Sequence, residues 1–407
     1  KLDLFAVRNI ALQLPLPAKA RQTLLEHPVN GLVHTLHVEW LESSNAQDSA
    51  FQIKVANGRF DNFSFDGGKA GTNSENLPGI ENANISFDIG PDGGQVKASI
   101  EKGAINIPRV FEEPRIPLDK MQASVKWLSP KGQLTVPEWQ ISLSNADVAG
   151  EWHGSWRPSA LPNSLGIIDL QGNIARGDAA RVHRYLPVAL SQNVRYYVRD
   201  SILNGGLQNI AVKIKGDLQN LPFANPKDGE FKLAGKVKDV QYAYVPPAAL
   251  GNAHRNTRSE SVWPAMSNVN GDIVFDRQAF KVNGASGKWG SIPFTQIKAE
   301  IPRLGSNAVV NIQGESKTTA KQLLSDLLQS PVNNMIGDVL SQATVTGALS
   351  TRLKLSLPLA SLEKTTVQGA VTFSGNDIRI VPSVPTFEKT QGSINFTEGG
   401  FTLANVN

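Results

Sequence analysis

Ile85-Ser86-Phe87-Asp88-Ile89, the turn Pro91-Asp92-Gly93-Gly94, and Val96-Lys97-Ala98-Ser99-Ile100 decide the fold class. Apolar and polar residues alternate strictly on both sides of a Gly-rich turn. Successive strand side chains point to opposite faces, so this pattern predicts two strands of a hairpin with one apolar face. The rhythm spreads outward. Met121, Ala123, Val125 and Trp127 continue it, then Leu134 and Val136 beyond Ser129-Pro130-Lys131-Gly132. Later come Val212 and Ile214, Phe231 and Leu233, Ile297, Ala299 and Ile301, Val310 and Ile312, then Leu353, Leu355 and Leu357. Asn57-Gly58, Asn283-Gly284 and Gly375-Asn376-Asp377 punctuate these runs as turns. The reading is roughly twenty to twenty-five short strands, far above the usual strand share.

Three stretches break the alternation. Gly177–Leu190 places Ala179, Val182, Tyr185 and Leu186 at helical spacing. Asn193–Leu203 does the same with Val194, Tyr197, Val198 and Ile202, and Asn204-Gly205-Gly206 reads as its C-cap. Thr318–Gln342 predicts two short helices divided by Pro331. Gly251–Ser261 reads as a polar loop, and Lys1–Val7 as a strand with no signal peptide before it. Because the far end, Phe401–Val406, is also strand-like, the chain reads as a segment of a longer protein. The expected division is 1–169, an N-terminal β-groove segment; 170–216, a helical insertion with flanking strands; 217–316, a β-groove repeat; 317–342, a helical segment; and 343–407, a continuing β-groove repeat.

Part of the sequence repeats. Gly271-Asp272-Ile273-Val274-Phe275 with Phe280-Lys281-Val282 matches Gly392-Ser393-Ile394-Asn395-Phe396 with Phe401-Thr402-Leu403. Upstream, Gly235-Lys236-Val237 matches Gly369-Ala370-Val371. The offset is too long for a short solenoid repeat and fits a repeated hairpin unit.

Composition excludes much chemistry. The 407 residues include no cysteine, which removes disulfides, thiolate metal sites and a thiol nucleophile. A formal charge of +4 from 40 basic and 36 acidic residues is too balanced for a nucleic-acid binder. No apolar stretch approaches the length of a membrane-spanning helix. Of the six histidines only His34 and His37 are close, and strand spacing sends them to opposite faces. No nucleophile elbow, zinc-protease or phosphate-loop motif occurs. Asp61 and Asp66 read as solvated turn carboxylates, and Arg176, Arg181, Arg184, Arg195 and Arg199 as a solvated face. Trp152 and Trp156 would share a strand face, the sole support for a glycan-binding β protein. No cofactor and no enzymatic activity are expected.

One ordered series of short motifs is distinctive. It runs Arg184-Tyr185-Leu186-Pro187, Gly205-Gly206, Gly216-Asp217-Leu218, Leu221-Pro222-Phe223, Gly229-Glu230-Phe231, Val240-Gln241-Tyr242 and Trp263-Pro264. It continues through Gly271–Phe275, Ser330-Pro331-Val332, Val345-Thr346-Gly347, Leu353–Leu359 and Gly392–Phe396. From about Leu170 to Asn407 this resembles the large YhdP-type branch of the AsmA-like superfamily of Gram-negative envelope proteins; residues 1–169 resemble it only in style. The resemblance implies an inner-membrane-anchored protein with a long periplasmic β-groove. It also implies phospholipid movement between the membranes in support of the outer-membrane barrier, with membrane contact through regions outside this segment and envelope proteins as further partners.

Alternation alone favours a solid sandwich core, and the absence of a catalytic constellation together with the resemblance reverses that preference. With the resemblance, the expected fold is mainly β: a long twisted antiparallel sheet curled into an apolar groove, with short helical segments at its edge. The expected lipid-binding lining is the apolar parity of the repeated hairpins: Phe231, Leu233, Val237, Ile273, Phe275, Phe280, Val282, Val371, Phe373, Ile394, Phe396, Phe401 and Leu403. The competing reading from the superfamily is a β-scaffold for outer-membrane protein assembly.

Overall fold

A computed structural model describes residues 2–14, 21–22, 25, 29–42, 51–66, 77–246, 263–305, 307–330, 333, 341–361, 364–379 and 381–406. Among these residues, twenty strands belong to one open antiparallel sheet. Within it the chain divides into two units, described separately below.

The first unit comprises residues 1–177, 184–191 and 211–230. Its strands are β1 (Leu2–Asp3), β2 (Val29–Glu42), β3 (Phe51–Phe65), β4 (Gly79–Gly90), β5 (Gly93–Asn106), β6 (Arg115–Leu128), β7 (Thr135–Ser144), β8 (Val148–Arg157) and β9 (Ile167–Asp178). From β2 to β9 each pairs with the next, an antiparallel meander. The hairpin that decided the reading is β4–β5, with Ile85 opposite Ala98 and Phe87 opposite Val96. The small core lies at one end of the apolar face. Ala83, Ile100, Ile116, Leu118 and Met121 are buried there, with Phe111 and Tyr185 packed on them.

The second unit comprises residues 178–183, 192–210 and 231–407. A strand shared between the units, β10 (Ile202–Asp217), is followed by β11 (Gly229–Tyr242), β12 (Met266–Asp276), β13 (Ala279–Trp289), β14 (Ile292–Ile301), β15 (Val309–Thr319), β16 (Thr344–Val345), β17 (Ala348–Pro358), β18 (Thr366–Arg379), β19 (Phe387–Thr397) and β20 (Gly400–Ala404). From β11 to β20 the meander is again sequential, except that β15 pairs directly with β17 and the short β16 sits beside β18. The repeated motifs are the hairpins β12–β13 and β19–β20, closed by the equivalent pairs Phe275–Phe280 and Phe396–Phe401.

Local expectations need three corrections. The stretch at Lys1–Val7 is not one strand: after Leu2–Asp3 the chain turns into a helix, Leu4–Ala11, because the Asp3 carboxylate accepts the Phe5 N–H as an N-cap. An unbroken apolar run does not distinguish strand from helix. Gly177–Leu190 is not helical throughout; it ends β9 and makes a 3-10 turn at Ala179–Tyr185. The next helix, Gln192–Ser201, stops before Asn204-Gly205-Gly206. Those residues lie inside β10, where Gly205 takes φ +119°. Val240 explains the glycine, since a Cβ at 205 would sit 2.5 Å from its Cα. Helix Ala320–Leu328 appears as expected, opened by a Thr319–Gln322 capping box. Pro331, most of the proposed second helix and the 251–261 loop lie outside the described residues.

Bulges recur along the strands. Asn62, Asn82, Asp239, Asn268 and Gln296 all take φ between +51° and +57°. An unpaired N–H at such a site needs a partner. Asn84 Oδ1 accepts the Asn62 N–H at 3.2 Å, Ser64 Oγ that of Asn82 at 3.0 Å, and Asn270 Oδ1 that of Asp239 at 3.1 Å. Each bulge shifts sequence parity by one while keeping the apolar face. Phe60 and Phe63, three apart across the Asn62 bulge, stack at 6.0 Å.

Glycines stand opposite aromatic residues across the strands. Gly58 faces Phe87, Gly94 faces Trp127, Gly154 faces Trp139, Gly172 faces Trp152 and Gly369 faces Phe396. A Cβ at any of them would lie within 2.9 Å of the facing ring. The ring occupies the space over the neighbouring strand that a side chain would fill.

The crowding is position-specific. At Gly154 a Cβ would also sit 2.2 Å from the Asp169 carbonyl oxygen, whereas at Gly314 nothing comes closer than 3.5 Å. Gly154→Ala is expected to lose about 2–3 kcal/mol and Gly314→Ala to stay within about 0.5 kcal/mol of the parent, as read from urea midpoints.

Candidate functional site

The register assembles apolar residues into rows that cross the strands. In the second unit one row is Gly235–Ile273–Val282–Ala299–Ile312–Leu355–Val367, each directly opposite the next. Beside it Leu233, Phe275, Phe280 and Ile301 form another. On the other side run Gly314, Leu353, Gly369, Phe396 and Phe401. At about 4.8 Å per strand, the seven-strand row extends about 29 Å. The first unit has the same construction over eight strands: Leu36–Gly58–Phe87–Val96–Val125–Trp139–Gly154–Leu170 and Val33–Phe60–Ile85–Ala98–Ala123–Ile141–Trp152–Gly172.

The opposite face is charged. Lys236 Nζ meets Asp272 at 2.7 Å, Lys281 meets Glu300 at 3.0 Å, and Arg352 meets Glu315 at 3.3 Å. Val274 belongs to this parity, opposite Lys281.

The thirteen expected lining residues all share the apolar parity. Phe231 contacts Phe275 edge-on at 5.4 Å, and Leu233, Val237, Ile273, Phe275, Phe280 and Val282 meet across β11, β12 and β13. Val371 faces Ile394, Ile394 faces Leu403, and Phe396 faces Phe401. Most are half-buried. Phe401 and Leu403 are 71% and 61% exposed on β20, and Phe373 is 7% exposed. Phe373 is therefore core: with Leu349 it packs under Ala320 and Leu323 of the Ala320–Leu328 helix. Ser291 N–H and Oγ donate to Asp326 Oδ2, tethering the same helix to the β13–β14 turn.

The helix Gln192–Ser201 reaches the same end of this unit's strands. Tyr197 Oη lies 2.8 Å from Tyr242 Oη, and Trp289 Nε1 donates to Tyr244 Oη at 3.0 Å. Burial, then the neighbouring Tyr197, push the Tyr242 phenol well above its ordinary range. The helices lie at one end of the apolar strip, and the described strands all belong to one sheet.

Sequence reasoning named no lining residue in the first unit, although its alternation was visible. It also left out Ala299, Ile312, Leu355 and Val367, which lie outside the repeated hairpins but continue their rows.

Other candidates resolve as structure. His34 and His37 approach separate carboxylates, Asp61 at 3.4 Å and Glu39 at 3.1 Å, and no group of three potential metal ligands occurs among the described residues. Arg176, Arg184 and Arg199 have partners within the protein. Arg184 meets Glu113 and Asp147, Arg199 meets Asp200, and Arg176 donates to the carbonyls of Asn145 and Ala146. Trp152 lies within an apolar row, beside Ile141 and over Gly172.

A family model described as YhdP protein matches residues 1–407. The chain belongs to the YhdP family. The YhdP match includes residues 1–169, where the sequence motifs carried no specific resemblance. No curated protein and no solved structure matches the chain.

A charge distinguishes the open rows from the helix-covered end. Ile273→Asp is expected to lower stability by about 1 kcal/mol or less because the site stays hydrated. Phe373→Asp should cost several kcal/mol by burying an unpaired carboxylate under the helix. Thermal melts of the two variants measure the contrast.

Proposed function

We propose that this member of the YhdP family moves phospholipid between the two membranes of a Gram-negative envelope, holding acyl chains on the apolar rows of its sheet and so supporting the outer-membrane barrier. The observation that carries this reading is the unbroken apolar row across seven strands of the second unit, backed by a charged face. An acyl chain leaving a bilayer exposes about 0.8 kcal/mol per CH₂, so transfer needs apolar surface at every step. A bilayer core is about 30 Å across two leaflets, so a strip of about 29 Å exceeds one chain's length. No catalytic group is required. Family membership supports an envelope setting, and the periplasmic location and inner-membrane attachment rest on the resemblance.

A second reading, a scaffold for envelope proteins, rests on the superfamily resemblance. Photo-crosslinkers separate the two in cells. Probes at Ile273 and Phe396 are expected to capture phospholipid, while probes at Val274 and Asn395 capture none. Protein adducts at Phe396 without lipid would favour the scaffold, and equal capture at both parities would remove the strip. In the full-length protein, Ile273→Asp or Phe396→Asp should abolish barrier function without unfolding, with Val274→Asp as the control.

A further inference from the structure

Three tryptophans of the first unit carry indole N–H groups that the protein leaves unused. Trp156 Nε1 donates to the Leu165 carbonyl at 2.8 Å, and in the second unit Trp289 Nε1 donates to Tyr244 Oη. Trp127, Trp139 and Trp152 are half-buried on the apolar face, and their Nε1 atoms have no hydrogen-bond partner among the described residues. None of the three nitrogens is sealed from solvent. An indole nitrogen is a donor only, so a group that covers it must bring an acceptor.

The register sets the three indoles in order. Met121 faces Leu143 in the row nearest the buried cluster of this unit. The next row is Ala123–Ile141–Trp152, the one after it holds Val125 and Trp139, and Trp127 lies one row further, two residues beyond Val125 on β6. With each row outward the indole shifts back by one strand, from β8 to β7 to β6. Strands are about 4.8 Å apart and two residues rise about 6.8 Å, so each step of this diagonal is about 8 Å. The rings are held in place: Trp127 lies over Gly94, Trp139 over Gly154, and Trp152 over both Gly150 and Gly172, with ring atoms within 2.9 Å of where each Cβ would stand. An acyl chain laid over such a nitrogen would strip its water and return no hydrogen bond. An ester or phosphate oxygen would restore it. Indoles collect at the polar boundary of bilayers for this reason, having an apolar body and one donating edge.

Resting on the lipid-carrying reading, we infer that Trp127, Trp139 and Trp152 are three successive hydrogen-bonding stations for the ester and phosphate oxygens at the polar end of a diacyl lipid. At steps of about 8 Å one acceptor meets one indole at a time, so the polar end passes from strand to strand while the acyl chains lie on the apolar rows.

The test uses the 407-residue chain, incubated with phosphatidylglycerol vesicles and re-isolated, with its bound lipid measured by mass spectrometry. Trp→Phe keeps a ring over the glycine and removes the donor. The variant combining Trp127→Phe, Trp139→Phe and Trp152→Phe is expected to bind roughly fivefold less lipid, the worth of one net hydrogen bond. Each single variant should change binding little, because two stations remain. A second measurement needs only the folded parent: lipid brominated near the ester end of an acyl chain should quench its tryptophan fluorescence more than lipid brominated near the methyl end. Full binding by the triple variant, a single variant that loses as much as the triple one, or equal quenching by the two bromolipids overturns the stations while leaving the lipid-carrying reading in place. A parent chain that binds no lipid and is quenched by neither bromolipid overturns both.

Discussion

Cross-strand register is the constraint on which everything else depends. In an antiparallel pair a slip of one residue sends every side chain to the wrong face. Here the register holds Ile273 opposite Val282, Val282 opposite Ala299 and Ala299 opposite Ile312, so apolar side chains from distant parts of the chain merge into rows. Bulges threaten this order, because each adds one residue. They occur in places where the added residue restores the facing. Phe294 and Ile297 lie on either side of the Gln296 bulge, yet both side chains reach the position of Gly314 on the next strand. The amide and hydroxyl side chains that accept the spare N–H groups belong to the same design, since an orphaned backbone donor would open the ladder locally.

A sheet with one apolar face ordinarily buries it against a second layer. Within each unit one cluster of packed, buried apolar residues lies at one end of the rows. Tyr185 and Phe111 contribute to it in the first, and Ala320 and Leu323 in the second. Elsewhere the rows are half-buried by their own neighbours. Glycines facing Trp139, Trp152 and Phe396 let the rings cover the adjacent strand in place of a second layer. The remaining apolar surface is suited to a mobile apolar ligand, because its cover must be able to leave.

How much of this was legible follows from the same physics. Alternation exposed the hairpins, because period 2 is a local property that Ile85, Phe87 and Ile89 display without tertiary context. The repeated hairpins therefore yielded Phe275, Phe280, Phe396 and Phe401 as one face, as the register shows. Bulges were not legible, since φ +51° at Asp239 depends on its neighbour Asn270, and so Val240 was not joined to Val237. Nor was the fate of Phe373 legible: its parity matches Val371, and only the position of the Ala320–Leu328 helix makes it core. The Asp3 cap at the first helix and the early stop at Ser201 were missed for a related reason, because apolar runs without alternation do not discriminate strand from helix.

The central claim is that the apolar rows are filled by lipid chains and not by protein. Its most direct measurement is quantitative mass spectrometry of an organic extract from the folded chain purified out of Gram-negative cells without detergent. The account predicts phospholipid in at least equimolar amount, displaced when a charge occupies the row at Ile273. A folded chain that yields no lipid, with its melting behaviour intact, would contradict it.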